Sequence, residues 1–256
     1  MEFKYQTVKS RRNKKNAKKK PFMKVSSEWT SSDVTQLLDR RREVLLESKF
    51  YADLLVMLKD KLVPTKPHDI VCYGIGSIQE SKNAQFQFVL AILLRDLLKI
   101  PGTMYIYDPV FTDLDKEVCK NYDMDLIETN EQGKRTVDKP TLFYMPHCGK
   151  TLYSNTLSVN WSEKDLANVI VVGNRFENYT EGLLDRELKR DCPYLLPAVK
   201  VVACTPFPPE FDNNQIFNDL CVQAFPKDTL ASVKSNFWQP LTPEPKTEDN
   251  VPDDVI

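Results

Sequence analysis

The chain has 256 residues, of which 41% are hydrophobic, 28% charged and 10% aromatic, and its formal net charge is -1. That composition supplies a core for a globular domain and excludes a disordered chain, a collagen-like fibre or a coiled coil as a description of the whole. The longest unbroken apolar run, Phe88 to Leu94, has seven residues. A bilayer-crossing helix needs roughly 20, and the basic N-terminus runs into no apolar leader, so a soluble protein with no membrane partner is expected.

Residues 1–24 hold ten Lys or Arg and one acid, which leaves residues 25–256 with 25 bases against 35 acids. Dense like charge resists compaction, so residues 1–24 are expected to form a disordered basic arm. A nuclear-import signal, an RNA-contacting arm and a plain solvated tail all suit it. The acidic remainder lacks the basic face that phosphate binding requires, so nucleic acid is not an expected partner except through the arm.

A domain is expected over residues 25–236, with N-terminal helices in 25–63, a sheet core in 69–226 and a disordered acidic tail in 237–256. Thr30 and Asp33 have the spacing of a capping box. The apolar residues that follow, from Val34 through Leu38, Leu45 and Leu54 to Leu62, recur at helical spacing, predicting one long helix or two consecutive ones ended by Pro64 and Pro67.

From Asp69 the rhythm changes. Short apolar runs at 70–73, 104–107, 126–127, 141–145, 169–172, 199–204 and 216–225 read as strands. Helical patterns lie between them at 84–98, 114–122, 152–161 and 181–190. Apolar runs without alternation imply strands buried on both faces. The alternation therefore predicts an α/β, Rossmann-like three-layer fold with a mostly parallel sheet.

In such a sheet, ligands bind beyond the carboxyl ends of the strands. Gly74, Gly76 and Ser77 follow the first strand, Asp108 and Pro109 the second, His147 and Cys148 the fourth, and Asn174 and Arg175 the fifth. The expectation is that they converge on one crevice. The Gly74-x-Gly76 pair allows a tight turn and close ligand approach, and Asp108 is placed to accept from ribose hydroxyls. Cofactor-binding candidates are therefore Gly74, Gly76, Ser77, Asp108 and Asn174, with S-adenosylmethionine or a nucleotide as ligand. Gln79 stands where a complete dinucleotide fingerprint needs its third glycine, and a turn with a helix-capping Asp108 explains the same residues.

His147 and Cys148 are the catalytic candidates. Imidazole titrates near neutrality, and a thiolate is favoured at a helix N-terminus. Adjacent residues point apart, however, so they make a poor dyad, and the alternative is a structural histidine beside a small buried filler. No spacing supplies the further ligands of a metal site. Without C-x-x-C pairs or a leader, the six cysteines read as free thiols in a reducing compartment. Cys192-Pro193 is either a turn after the 181–190 helix or an exposed thiolate able to ligate haem iron.

The runs Tyr73-Gly-Ile-Gly-Ser77, Tyr107-Asp-Pro109, Asn130-Glu-x-Gly-Lys-Arg135, Leu142-Phe-Tyr-Met-Pro-His-Cys148, Asn160-Trp161, Gly173-Asn174-x-Phe176 and Phe217-Asn-Asp219 occur in this order. Together they resemble the "sensitivity to red light reduced" (SRR-like) family over about residues 30–226, most specifically through residues 143–148. Arg175 and Ala224 depart from the family's serine and aromatic at those positions. The resemblance implies a regulator of circadian clock input, clock gene expression and haem biosynthesis, resident in cytoplasm and nucleus, with small-molecule or protein partners. It carries over no catalytic residue. The residues themselves leave open a transferase using S-adenosylmethionine.

Overall fold

The computed structural model describes residues 29–212 and 215–241; the expected basic arm and residues 242–256 of the expected acidic tail lie outside them. The chain enters through α1 (Ser31–Leu46) and α2 (Lys49–Lys61). Thr30 caps α1 in the box expected from sequence: its hydroxyl accepts from the Asp33 amide, and its own amide donates to the Asp33 carboxylate. The Ser48 hydroxyl caps α2 by accepting from the Tyr51 amide, so one apolar stripe folds as two helices.

The core follows as β1 (Asp69–Tyr73), α3 (Lys82–Leu98), β2 (Met104–Tyr107), α4 (Asp113–Asn121), β3 (Asp125–Leu126), β4 (Thr141–Met145), α5 (Lys150–Val159), α6 (Glu163–Leu166) and β5 (Val169–Asn174). It ends with α7 (Phe176–Gly182), α8 (Asp185–Asp191), α9 (Leu195–Ala198), β6 (Ala203–Pro206), β7 (Leu220–Ala224) and α10 (Lys227–Ala231). The strands form a seven-stranded sheet in the order β3-β2-β1-β4-β5-β7-β6. The pairs among β1 to β5 are parallel, whereas β7 runs antiparallel to both β5 and β6. The mixed α/β fold with a mostly parallel sheet is thus the one expected.

Alternate residues on each strand feed two cores. Ile70, Cys72, Leu142, Tyr144, Ile170 and Val172 pack with α1, α2 and α3 on one face. Val71, Tyr73, Phe143, Met145, Val169 and Val171 pack with α5 and α8 to α10 on the other. Burial on both faces is why these strands carry no polar alternation.

Three expectations change. The single helix over 181–190 is two, because Gly182 ends α7 and Leu183 and Leu184 are extended. The strand expected at 199–204 begins only at Ala203, since residues 195–198 are helical. The domain does not stop at 236: Phe237 stacks on Trp161 with centroids 5.1 Å apart, the Trp161 ring N–H donates to the Phe237 carbonyl, and Leu241 N–H donates to the Tyr194 hydroxyl. Aromatic burial, not local composition, sets that boundary.

Candidate functional site

The strand order reverses between β1 and β4, where a parallel α/β sheet opens a crevice. A cavity of about 270 Å³ lies there, lined by Tyr73, Gly74, Tyr107, Asp108, Pro109, Asn130, Gly133, Cys148, Gly149 and Leu152. A smaller hollow of about 200 Å³ continues past Tyr107, Asp108 and Pro109 toward Phe111 and Ile127. Gly74, Asp108 and Cys148 therefore meet at one cavity, as expected. Gly76, Ser77, His147 and Asn174 do not line it, and they act around it instead.

The glycine turn is held from both sides. Gly74 and Gly76 have φ of 72° and 83°, in the left-handed region, while Ile75 and Ile78 anchor the turn in the first core. The Gly76 amide donates to Asp108 Oδ2 at 2.7 Å. The Ile78 and Gln79 amides donate to Asp115 Oδ1 at 3.0 and 3.1 Å, and the Ser77 hydroxyl to Asp115 Oδ2 at 3.1 Å. Asp115 is wholly buried and also closes the capping box of α4 with Thr112.

These contacts correct the nucleotide expectation. A phosphate on such a turn needs its backbone N–H groups free, and here two of the chain's own carboxylates accept from them. Phosphate charge at this position would also meet like charge. The Ser77 hydroxyl braces the turn through Asp115.

Cys148 is buried, and its sulfur donates to the Tyr73 carbonyl at 3.4 Å. Burial, with the Asp108 charge adding to it, pushes its thiol up to about 12. The thiolate expected at the start of α5 is therefore not the resting form, because desolvation outweighs the helix terminus. A Cβ on Gly74 would come within 2.5 Å of that sulfur, so the glycine is needed for close packing as much as for its φ.

His147 is exposed and has φ 53°, which is uncommon for a non-glycine residue. Its amide donates to Asn174 Oδ1 at 2.9 Å, and its Nε2 lies 3.0 Å from the Ile216 carbonyl. A carbonyl only accepts, so Nε2 carries the proton when the ring is neutral, leaving Nδ1 as the basic nitrogen. Asn174 also donates through Nδ2 to the Tyr179 hydroxyl, which donates to the Cys148 carbonyl. The Tyr153 hydroxyl accepts from the Asn174 amide and donates to the Met145 carbonyl. This network ties the ends of β4 and β5 together, and Asn174 is its centre.

Sequence reasoning missed Asp115, Tyr153 and Tyr179, and the trio of Tyr73, Glu131 and Arg135. The Tyr73 hydroxyl donates to Glu131 Oε2 at 2.7 Å, Arg135 grips the same carboxylate through two nitrogens at 2.8 and 3.0 Å, and its guanidinium sits 4.3 Å from the centre of the Tyr105 ring. Burial raises Glu131, but Arg135 and Tyr73 together outweigh it and hold the carboxyl below its ordinary value. Burial, reinforced by Glu131, pushes the Tyr73 phenol up. The Asn130-to-Arg135 run was the available signal; its partner Tyr73, 58 residues away from Glu131, was not.

Cys192 is fully enclosed in the second core, with its amide bonded to the Leu188 carbonyl. That excludes the exposed axial thiolate read from Cys192-Pro193. Among the described residues there is no cluster of three or more metal-ligating side chains, and no helix is long and apolar enough to cross a membrane.

Residues 35–224 match the SRR1 domain family. The chain is 38% identical over 127 residues to a mouse SRR1-like protein, covering 49% of this chain and 51% of that one. It is 31% identical over 183 residues to a Drosophila melanogaster SRR1-like protein, covering 71% and 64%. It is 27% identical over 232 residues to the Arabidopsis thaliana protein SENSITIVITY TO RED LIGHT REDUCED 1, covering 82% and 78%. The matches thus span about half of the mouse relative and under two thirds of the fly one. Among solved structures, a Podospora anserina methyltransferase, PaMTH1, bound to SAH aligns with a TM-score of 0.39 at 13% identity, covering 74% of this chain and 87% of that one.

Proposed function

The chain belongs to the SRR1 domain family, and from that kinship and the crevice we propose that it is a regulatory protein that works by binding a small molecule at the carboxyl ends of β1, β2 and β4. The observation that carries this reading is the cavity of about 270 Å³ at the strand-order reversal. It has mostly apolar walls, two polar groups (Asp108 and Asn130) and no activated nucleophile, and it lies near the lower end of small-molecule sites, at about 300–1,000 Å³. Tyr73, Tyr107, Pro109 and Leu152 would hold a flat, largely uncharged ring, while Asp108 would accept from its polar edge. Calorimetry against a metabolite panel tests this. Saturable binding that disappears in Leu152→Trp, which fills the cavity, is expected; no binding at millimolar ligand overturns it.

Regulation of clock gene expression and of haem biosynthesis, with residence in cytoplasm and nucleus, is the finer reading that the family supports. Its test is complementation. In cells lacking the protein, the wild type restores clock transcripts and haem levels and Leu152→Trp does not; equal restoration by both separates that role from the crevice.

A second reading is a methyl-transferring enzyme that uses S-adenosylmethionine. It is favoured by Asp108, which lies beside the β1 turn and on the same cavity. S-adenosylmethionine has no phosphate to clash with the two turn carboxylates. Binding lost in Asp108→Asn favours this reading, and no heat of binding at millimolar concentration removes it.

A further inference from the structure

A second cavity of about 270 Å³ opens where the start of α7 meets the end of β6 and the start of β7, and it shares no lining residue with the crevice. Its walls differ in chemistry. Pro206, Phe207, Pro208 and Pro209, with Phe217 and Leu220, make one part apolar. Arg175 and Asn178 from the start of α7, with Asn218 and Asp219, make the other part polar. The apolar part is set before any ligand arrives. Proline fixes the backbone at three of its positions. Phe207 and Phe217 are buried, and their rings pack on Phe50 with centroids 6.4 and 5.1 Å apart. The Phe207 amide donates to the Leu220 carbonyl at 2.9 Å, and the Arg175 amide to the Asp219 carbonyl at 3.1 Å, so both parts are tied to the start of β7.

Arg175 supplies the donors. Its side chain is half exposed, and its Nε lies 3.3 Å from Glu177 Oε2. That ion pair holds one edge of the guanidinium, and the two terminal nitrogens make no hydrogen bond to another described residue. A planar fork with free terminal N–H groups matches the two oxygens of a carboxylate, and it keeps its charge at every physiological pH.

We propose that this cavity binds a compact organic monocarboxylate, its acid group gripped by Arg175 and its apolar body laid against Phe207, Phe217 and the prolines. The Asn178 amide can donate a further bond to the same acid. Asp219 stands at the rim, where its Oδ2 accepts from Asn218 Nδ2 at 2.8 Å. Its charge repels a second negative charge on the ligand, so a dianionic phosphate ester is disfavoured. The volume lies near the lower end of small-molecule sites, at about 300–1,000 Å³, which limits the body to a short chain or a single ring.

The test titrates the purified full chain with phenylacetate and follows calorimetry and the Arg175 Nε–H signal in NMR. Saturable binding that shifts this signal is expected, weakened roughly tenfold or more in Arg175→Ala. Phenylacetamide, which has the same shape without the charge, is expected to bind the wild type roughly tenfold or more weakly, a comparison that depends on no variant. Phenyl phosphate is expected to bind more weakly than phenylacetate. Leu152→Trp, which fills the crevice, is expected to bind phenylacetate as the wild type does, so this site and the crevice stand or fall separately. No saturable binding of phenylacetate at millimolar concentration, equal affinity in Arg175→Ala, equal affinity for the amide, tighter binding of phenyl phosphate, or loss of binding in Leu152→Trp overturns the proposal.

Discussion

The carboxylate of Asp108 accepts from the backbone amide of Gly76 at 2.7 Å, so the acid after β2 grips the turn after β1. Its other oxygen accepts from the Val110 amide at 2.9 Å. Asp108 thus joins two strand ends that are 32 residues apart at the point of contact and forms part of the cavity wall. The crevice is shaped by internal hydrogen bonds before any ligand enters.

Gly74 and Cys148 occupy one another's space. Gly74→Ala places a methyl group 2.5 Å from the Cys148 sulfur at a φ of 72°, and the expected loss is about 1–3 kcal/mol of unfolding free energy. Cys148→Ala removes the sulfur, so the double variant is expected to lose less than the sum of the singles. Urea unfolding of the four proteins measures the coupling, and strict additivity contradicts the packing argument.

Asp115 is the buried acid on which the turn depends. Asp115→Ala leaves the Ile78 and Gln79 amides without an acceptor and breaks the α4 cap. The expected loss is about 3 kcal/mol or more. Hydrogen exchange at those two amides locates the effect, since both are expected to exchange far faster once Asp115→Ala removes their acceptor.

Glu131 makes stability depend on pH. Its folded value lies below its ordinary value of 4.5, so its pairing with Arg135 and Tyr73 stabilises the fold above that pH. The contribution is lost as pH falls through the folded value. Glu131→Gln is expected to lower stability at neutral pH and to converge with the wild type as pH falls through the folded value of Glu131. Denaturant midpoints across that range check it, and a constant difference at every pH overturns it.

Tyr153 holds β4 to β5 with a single oxygen. Tyr153→Phe strands the Asn174 amide and the Met145 carbonyl, at a cost of about 1–3 kcal/mol. Because Asn174 positions the His147 amide, this variant is expected to broaden or shift the His147 ring signals in NMR; unchanged signals detach His147 from the network.

The sequence by itself determined the elements whose signals are local. The Thr30–Asp33 cap, the apolar strands from Ile70 to Val172 and the glycine turn depend on residues within a few positions of one another, and pattern reads them directly. It also identified Gly74, Asp108 and Cys148 as neighbours of one crevice, because strand ends in a parallel sheet share an edge. Tertiary structure decided the rest. The reversed direction of β7, the helix that replaces the start of the 199–204 run, and the packing of Phe237 onto Trp161 depend on distant partners. Burial turned Cys148 and Cys192 from candidate thiolates into enclosed side chains, and desolvation has no local sequence signature. Asp115 reaches Ile78 across 37 residues, and Tyr73 reaches Glu131 across 58. No periodicity records such pairings, because they exist only once the sheet has brought those strand ends side by side.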